Sequence, residues 1–173
     1  MNAVNAWLSD RPRAVLALIA ATSVALLAFG MVLQHVVGLE PCPMCIVQRY
    51  ALILVAVLAG VGATLAGARA RGAVVGALGL FAAFGAFTAA RQSWLQWYPP
   101  EILTCGRDFF GMIEAFPLGR AIPMIFRGSG DCSKVDWSFL GLTIANWSFL
   151  WFVAFTLLAV WLLWAGKSAR RND

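Results

Sequence analysis

The chain has 173 residues, of which 61% are hydrophobic and 12% charged, and its formal net charge is +5. Soluble domains are roughly half apolar and about a quarter charged, so this composition argues against an ordinary soluble enzyme, a disordered chain or a nucleic-acid-binding module. The sequence contains a single histidine, His35, which excludes metal and haem sites that need several histidine ligands.

Four apolar runs organise the sequence, and each is long enough to cross a membrane as a helix. They are Ala14–Leu33, Ile46–Leu65, Gly72–Ala90 and Trp147–Trp164. A bilayer core needs about 20 helical residues, and lipid offers the backbone no hydrogen-bond partners. The sequence therefore predicts an all-α membrane protein. We expect a four-transmembrane-helix bundle that forms a single integral membrane domain over residues 1–173.

The first run could instead belong to a cleaved signal peptide, because Arg11 and Arg13 precede it as a basic segment would. Its apolar stretch is longer than the roughly 7–15 apolar residues of a signal peptide. We therefore expect a retained membrane span.

Basic residues between and beyond the runs predict the orientation. They concentrate in the two tails and in the connection between the second and third runs, at Arg11, Arg13, Arg69, Arg71, Lys167, Arg170 and Arg171. Lysine and arginine accumulate on the cytoplasmic side of membrane proteins. Both termini are therefore predicted to be cytoplasmic. The opposite side receives a short loop over residues 34–45 and a long loop over residues 91–146.

Small and aromatic residues suggest how the helices pack and where they meet the interface. The Gly72-x-x-x-Gly76 motif favours close helix packing. Several aromatic residues near the run ends suit interfacial belts, namely Trp94, Trp97, Tyr98, Trp147, Trp151 and Trp164.

All four cysteines fall in the two outer loops. Cys42 and Cys45 lie in the short loop, and Cys105 and Cys132 lie in the long one. Disulfides persist outside the cytoplasm, so two disulfides are expected, with three possible pairings. Structural staples are one alternative. A Cys₄ zinc site is another, although Cys105 and Cys132 do not form a second close pair.

The segment Cys42-Pro43-Met44-Cys45 has the spacing of a redox-active pair. Proline suits the first turn of a helix, so Cys45 is expected near a helix N-terminus, where the dipole favours an anionic sulfur. Arg49 follows one turn later on the same face. A charge just inside a span indicates a functional residue, although arginine can also extend to the interface as an anchor.

Several motifs together resemble those of the DsbB family, membrane proteins that form disulfide bonds. They are the stretch Pro41–Leu52 around Cys42 and Cys45, Leu95-Gln96-Trp97-Tyr98-Pro99, Thr104-Cys105, Ser129-Gly130-Asp131-Cys132 and Trp137-Ser138-Phe139-Leu140-Gly141-Leu142. Their order, their loop placement and the four-span layout match as well. The resemblance therefore covers nearly the whole chain.

The resemblance implies a thiol:quinone oxidoreductase of the bacterial inner membrane. Family members reoxidise DsbA, a periplasmic dithiol oxidase, and pass the electrons to a membrane quinone, either ubiquinone or menaquinone. Matched by motif, Cys105 and Cys132 form the disulfide that meets DsbA, and Cys105 makes the mixed disulfide. Cys42 and Cys45 then reoxidise that pair, with Cys45 facing the quinone and Arg49 beside it.

Two positions depart from the family pattern. Related sequences often have an acidic residue at the position of Gln48 and a histidine at that of Gln92. An ionisable role at either position is therefore in doubt. Gln92 is still expected to hydrogen-bond a quinone carbonyl, but it cannot supply a proton.

Two other function classes remain open at the level of sequence. One is the vitamin K epoxide reductase type of thiol:quinone enzyme, in which the quinone-side Cys-x-x-Cys generally lies late in the chain, whereas here it precedes the second span. The other is a membrane scaffold with structural disulfides, which would form no mixed disulfide with a soluble thiol protein.

Overall fold

A computed structural model describes residues 11–39, 41–98, 135 and 137–172. Four helices and one short hairpin account for most of this part of the chain. They are α1 Pro12–His35, α2 Pro43–Thr64, α3 Ala68–Trp97, β1 Ser138–Phe139, β2 Leu142–Thr143 and α4 Ile144–Asn172. All four helices are long and apolar enough to span a membrane, which confirms the predicted all-α class and four-helix architecture.

The chain runs up and down, with neighbouring helices packed in order. α1 packs on α2, α2 on α3, and α3 on α4. The turn between α2 and α3 is short, and the Arg71 guanidinium donates to the Leu65 carbonyl across it at 3.0 Å. A basic side chain thus satisfies one of the carbonyls that the end of a helix leaves without an intrahelical partner.

The third helix continues beyond the apolar run that predicts it. The run ends at Ala90, but α3 extends to Trp97, with the Tyr98 backbone N–H donating to the Trp94 carbonyl at 2.9 Å. Hydropathy falls at the polar residues after Ala90, but the backbone hydrogen bonds of a helix do not depend on hydropathy, so the helix continues through them. Pro99 follows in the sequence, and the residue before a proline disfavours helix. Gln92 is therefore carried on a helix and not in a loop.

A two-stranded antiparallel hairpin precedes α4 and was not predicted. Phe139 pairs with Leu142, and both central turn residues have positive φ, Leu140 at 53° and Gly141 at 76°. Two positive φ values define a type I′ turn, whose twist matches that of paired strands. β2 then leads directly into α4, where the Thr143 hydroxyl accepts the Asn146 N–H at 3.4 Å and caps the helix.

The apolar core lies between the four helices. It contains Val15, Leu16, Ile19, Ala51, Val55, Ala59, Val75, Leu78, Ala82, Phe152, Phe155, Ala159 and Leu162. Other large apolar side chains, such as Leu80, Phe87 and Leu157, point outward and are exposed. A lipid environment accounts for such a surface, since lipid tails are as apolar as the core.

Glycines allow close helix contacts, but at positions other than the predicted motif. A Cβ at Gly72 or Gly76 would meet no atom within 4 Å in the described part of the chain. On α3 the close approaches are at Gly79 against Ala159 and at Gly85 against Phe152, and on α2 Gly62 lies close to Leu16. The prediction that Gly72-x-x-x-Gly76 forms a close helix contact is therefore wrong, and the contacting glycines of α3 lie further along the helix.

We expect Gly85→Ala to destabilise the protein. Its Cβ would lie 2.4 Å from a ring carbon of Phe152, a side chain that is only 2% exposed and has little room to move. Overpacking of this kind costs about 1–3 kcal/mol of the free energy of unfolding. Thermal unfolding in detergent measures the loss, with Gly76→Ala as the matched control. Equal melting temperatures for the two variants would contradict this packing.

Candidate redox site

The predicted Cys-x-x-Cys segment forms the start of α2. Cys42 is the N-cap residue, and Pro43 occupies the first turn. The Cys42 Sγ accepts the backbone N–H of Cys45 at 3.3 Å, and the two sulfur atoms lie 2.7 Å apart. Cys42 is 4% exposed, whereas Cys45 is half-buried. The helix start thus holds both sulfurs side by side and directs a backbone donor at one of them.

An amide from α3 contacts both sulfurs. The Gln92 Nε2 donates to the Cys42 Sγ at 3.3 Å and to the Cys45 Sγ at 3.2 Å. The Gln92 Oε1 in turn accepts the Gln48 Nε2 at 2.6 Å. Gln48 and Gln92 are both buried, so these hydrogen bonds are shielded from solvent.

The arginine predicted to act beside the sulfurs is anchored on α1. The Arg49 guanidinium donates to the Gln34 Oε1 and, at 3.3 Å, to the Gly30 carbonyl. These two acceptors lie one turn apart on α1. The cation therefore bridges α2 and α1 inside the bundle, with a fixed orientation.

These groups line one cavity of about 360 Å³. The sulfurs, Arg49, Gln92 and Gln34 supply polar atoms, while leucine, phenylalanine and tryptophan side chains of α1, α4 and the hairpin supply much of the remaining wall. Such a cavity is typical of sites for small, mainly apolar ligands that are oriented by a few polar groups.

An aromatic row forms part of that wall and joins α1 to the hairpin and α4. The ring centroids of Phe29 and Trp137 lie 6.0 Å apart in an edge-to-face arrangement. The Trp137 ring stacks on that of Phe139 at a centroid distance of 6.1 Å, and the Phe139 and Trp147 centroids lie 6.3 Å apart. The Trp147 indole N–H donates to the Phe139 carbonyl at 3.2 Å. These contacts hold the hairpin over the cavity and give it flat apolar surfaces.

Another polar contact joins the hairpin to α3. The Thr143 hydroxyl donates to the Gln96 Oε1 at 2.7 Å. Thr143 therefore both caps α4 and ties the end of β2 to the helix that carries Gln92.

The structure brings together four of the predicted site residues. Cys42, Cys45, Arg49 and Gln92 all line the cavity. The other two, Cys105 and Cys132, lie outside the described residues. Gln92 contacts the sulfurs through its amide nitrogen, a contact that the sequence did not indicate.

Sequence reasoning missed the residues that hold this site in place. Gln34 and Gly30 orient Arg49, and Gln48 orients Gln92. One signal was available for Gln34, because it is an uncharged polar residue directly after a long apolar run. Nothing in the spacing indicates that the Gly30 carbonyl accepts a hydrogen bond.

Comparison with known proteins agrees over nearly the whole chain. Residues 12–162 match the family model described as "Disulfide bond formation protein DsbB". A Disulfide bond formation protein B from Paracidovorax citrulli (strain AAC00-1) is 67% identical over 169 residues, which cover 96% of each chain. A protein of the same name from Polaromonas sp. (strain JS666) is 68% identical over 155 residues, covering 88% of this chain and 90% of that protein.

Proposed function

The chain belongs to the DsbB family of disulfide bond formation proteins, and from this premise we propose that it reoxidises a DsbA-type dithiol oxidase and delivers the electrons to a membrane quinone. The observation that carries the proposal is the single cavity in which both sulfurs of the Cys-x-x-Cys pair and the Arg49 guanidinium face apolar walls. A thiol pair at such a place can exchange electrons with a ligand dissolved in the bilayer.

The proposed electron flow balances in two exchanges and one oxidation. The dithiol of the partner is oxidised to a disulfide as the Cys105–Cys132 disulfide is reduced. The dithiol formed by Cys105 and Cys132 then reduces the Cys42–Cys45 disulfide. Cys42 and Cys45 lose two electrons and two protons in regaining their disulfide, and a quinone held in the cavity would accept these two electrons and two protons.

Redox potentials support a quinone as the acceptor. DsbA has a potential near −120 mV, far more oxidising than thioredoxin near −270 mV. With an acceptor as reducing as thioredoxin, electrons would flow from the acceptor to DsbA and not from DsbA to the acceptor. A membrane quinone is an acceptor of the required class, and the DsbA–DsbB–quinone route is the established source of periplasmic oxidation.

The residues of the cavity fit a quinone. Aromatic and aliphatic walls suit a flat ring and an apolar tail, and polar groups are gathered at the sulfur end. The Arg49 guanidinium lies where it can stabilise a thiolate and the negative charge that develops on a bound acceptor. The chain's own residues would thus bind and orient the quinone and supply a positive charge beside it. Ubiquinone and menaquinone would both suit these walls.

We further propose a bacterial inner-membrane location with both termini cytoplasmic and all four cysteines outside. The support is the concentration of basic residues in the tails and in the turn that Arg71 braces. Membrane-impermeant thiol reagents should label reduced cysteines in intact spheroplasts. Single-cysteine variants give the matched set, and protection of Cys105 or Cys132 until lysis would contradict this topology.

The direct test of function is anaerobic mixing of the purified protein, a reduced DsbA-type protein and quinone while the quinone absorbance is followed. We expect one quinone reduced for each partner disulfide formed. A scaffold with structural disulfides would give neither quinone reduction nor a trapped mixed disulfide. Partner oxidation without quinone consumption would also contradict the proposal.

A further inference from the structure

We propose that Gln92 is a catalytic amide that stabilises the reduced form of the Cys42–Cys45 pair, and that Gln48 is the positioning residue that aims it. From the proposed function the inference takes only the assignment of Cys42 and Cys45 as a redox pair. It rests on three contacts, namely the two bonds from the Gln92 Nε2 to the sulfurs at 3.3 and 3.2 Å and the 2.6 Å bond from Gln48.

The orientation of the Gln92 amide follows from its partners. A glutamine side chain has one oxygen that only accepts and one NH₂ group with two donors. The Gln48 NH₂ donates to the Gln92 oxygen, and the Gln92 NH₂ faces the sulfurs. Its two N–H groups match the two sulfurs in number. Gln48 therefore determines which end of the amide the redox pair meets.

Such donors favour the reduced pair over the disulfide. A thiolate is a strong, charged acceptor, whereas a neutral sulfur accepts only weakly. Gln92 is 4% exposed, and a hydrogen bond to a charged group gains strength in a buried site. Stabilising the reduced form makes a disulfide a stronger oxidant, as DsbA illustrates. A pair that must draw electrons ultimately from DsbA benefits from that bias.

The side-chain donor that the described residues direct at the two sulfurs, the Gln92 amide, does not titrate. Among the described residues that line the cavity, the two thiols of Cys42 and Cys45 and the charged guanidinium of Arg49 are the ionisable or charged side chains, and all three are carried by the start of α2. The facing parts of α1, α3, α4 and the hairpin present glutamines, hydroxyls and apolar groups. Gln92 therefore donates equally across the physiological pH range, which a histidine at the same place would not do.

The first test measures the redox equilibrium of the pair against glutathione, without quinone. The full-length protein used here has both Cys105 and Cys132 replaced by serine, so that Cys42 and Cys45 are the remaining cysteines that can be oxidised or reduced. Gln92→Met should make the disulfide harder to reduce by about tenfold in the equilibrium constant, which corresponds to about 30 mV. The matched control is Gln96→Met, because Gln96 lies one turn further along α3 and bonds to Thr143 and not to a sulfur.

The second test reverses the amide instead of removing it. In Gln48→Glu, a protonated carboxyl can still donate to Gln92, but an ionised one only accepts and would turn the Gln92 oxygen toward the sulfurs. The potential should match that of the parent at low pH. As the pH rises, it should become more reducing than that of the parent measured at the same pH. Alkylation of Cys45 by iodoacetamide should then need a higher pH. The side chain keeps its size, so this result stands even where Gln92→Met does not fold.

Two outcomes separate this inference from the proposed function. Parent-like potentials and alkylation profiles in both Gln92→Met and Gln48→Glu would overturn the role of the amide and would not bear on the proposed function. A wild-type protein that reduces no quinone, together with variants whose potentials shift as described, would overturn the proposed function and support the role of the amide. A shift in Gln96→Met equal to that in Gln92→Met would show a general packing effect and would also overturn the inference.

Discussion

Cys45→Ser is expected to reduce quinone turnover to the uncatalysed background. Cys45 is the more exposed residue of the pair, it lines the cavity, and Arg49 follows it by one helical turn. Cys42 is 4% exposed and caps α2 through its bond to the Cys45 N–H. A serine oxygen cannot form the disulfide, so the two-electron step has no donor pair. Steady-state quinone absorbance with a reduced DsbA-type partner measures the loss.

The same logic assigns different failures to the two cysteine pairs. A chain with serine at both Cys42 and Cys45 should still be attacked by the partner and form a mixed disulfide. Cys105→Ser should abolish that mixed disulfide, following the loop placement and the family resemblance. Non-reducing gels after acid trapping distinguish the two. Oxidation of the partner by Cys105→Ser at the native rate would contradict the division of roles.

Most of the fold follows from the sequence because a membrane leaves few choices. Backbone groups in hydrocarbon must pair within a helix, so each uncharged run of sufficient length becomes one. Hydropathy marks where lipid ends and not where the helix ends, and α3 therefore continues past Ala90 to Trp97. The hairpin escaped prediction because its strands have two residues each, and one turn position is Leu140, a residue that rarely adopts positive φ.

The candidate site divides in the same way between local and distant contacts. Cys42, Cys45 and Arg49 lie within two turns of one helix, so spacing alone places them together. Gln92 and Gln34 reach the same cavity from α3 and α1. Their convergence depends on how the helices rotate against one another, which packing at contacts such as Gly85 against Phe152 decides. A single sequence does not show how the helices pack, so it does not predict that Gln92 and Gln34 reach the same cavity.

Arg49→Ala is expected to cause the second large loss, and to separate two roles for an arginine near a membrane surface. An arginine that serves only as an anchor extends its charge toward water and can be replaced at little cost. Arg49 instead donates to Gln34 and to the Gly30 carbonyl on α1, and it lines the same cavity as the sulfurs. Removing one preorganised donor to developing charge costs about 100- to 1,000-fold in turnover elsewhere, and a similar loss is expected here.

Two further variants show whether the charge or its orientation matters. Arg49→Lys keeps the charge but lacks the planar fork that can serve two α1 acceptors and the ligand together, so it should recover only part of the activity. Gln34→Met leaves the guanidinium in place with the Gly30 carbonyl alone, and we expect a loss of about tenfold in apparent quinone affinity, in line with one hydrogen bond to a charged group.

The decisive measurement is quinone reduction as a function of quinone concentration, with exchange between the partner and the Cys105–Cys132 pair measured in parallel. Arg49 lines the same cavity as Cys45, so its loss should impair quinone use and leave that exchange intact. A general disturbance of the bundle would lower both. Unchanged quinone affinity and turnover in Arg49→Ala would instead mean that its bonds to α1 only join two helices, and that the α2 N-terminus and the Gln92 amide stabilise the developing negative charge.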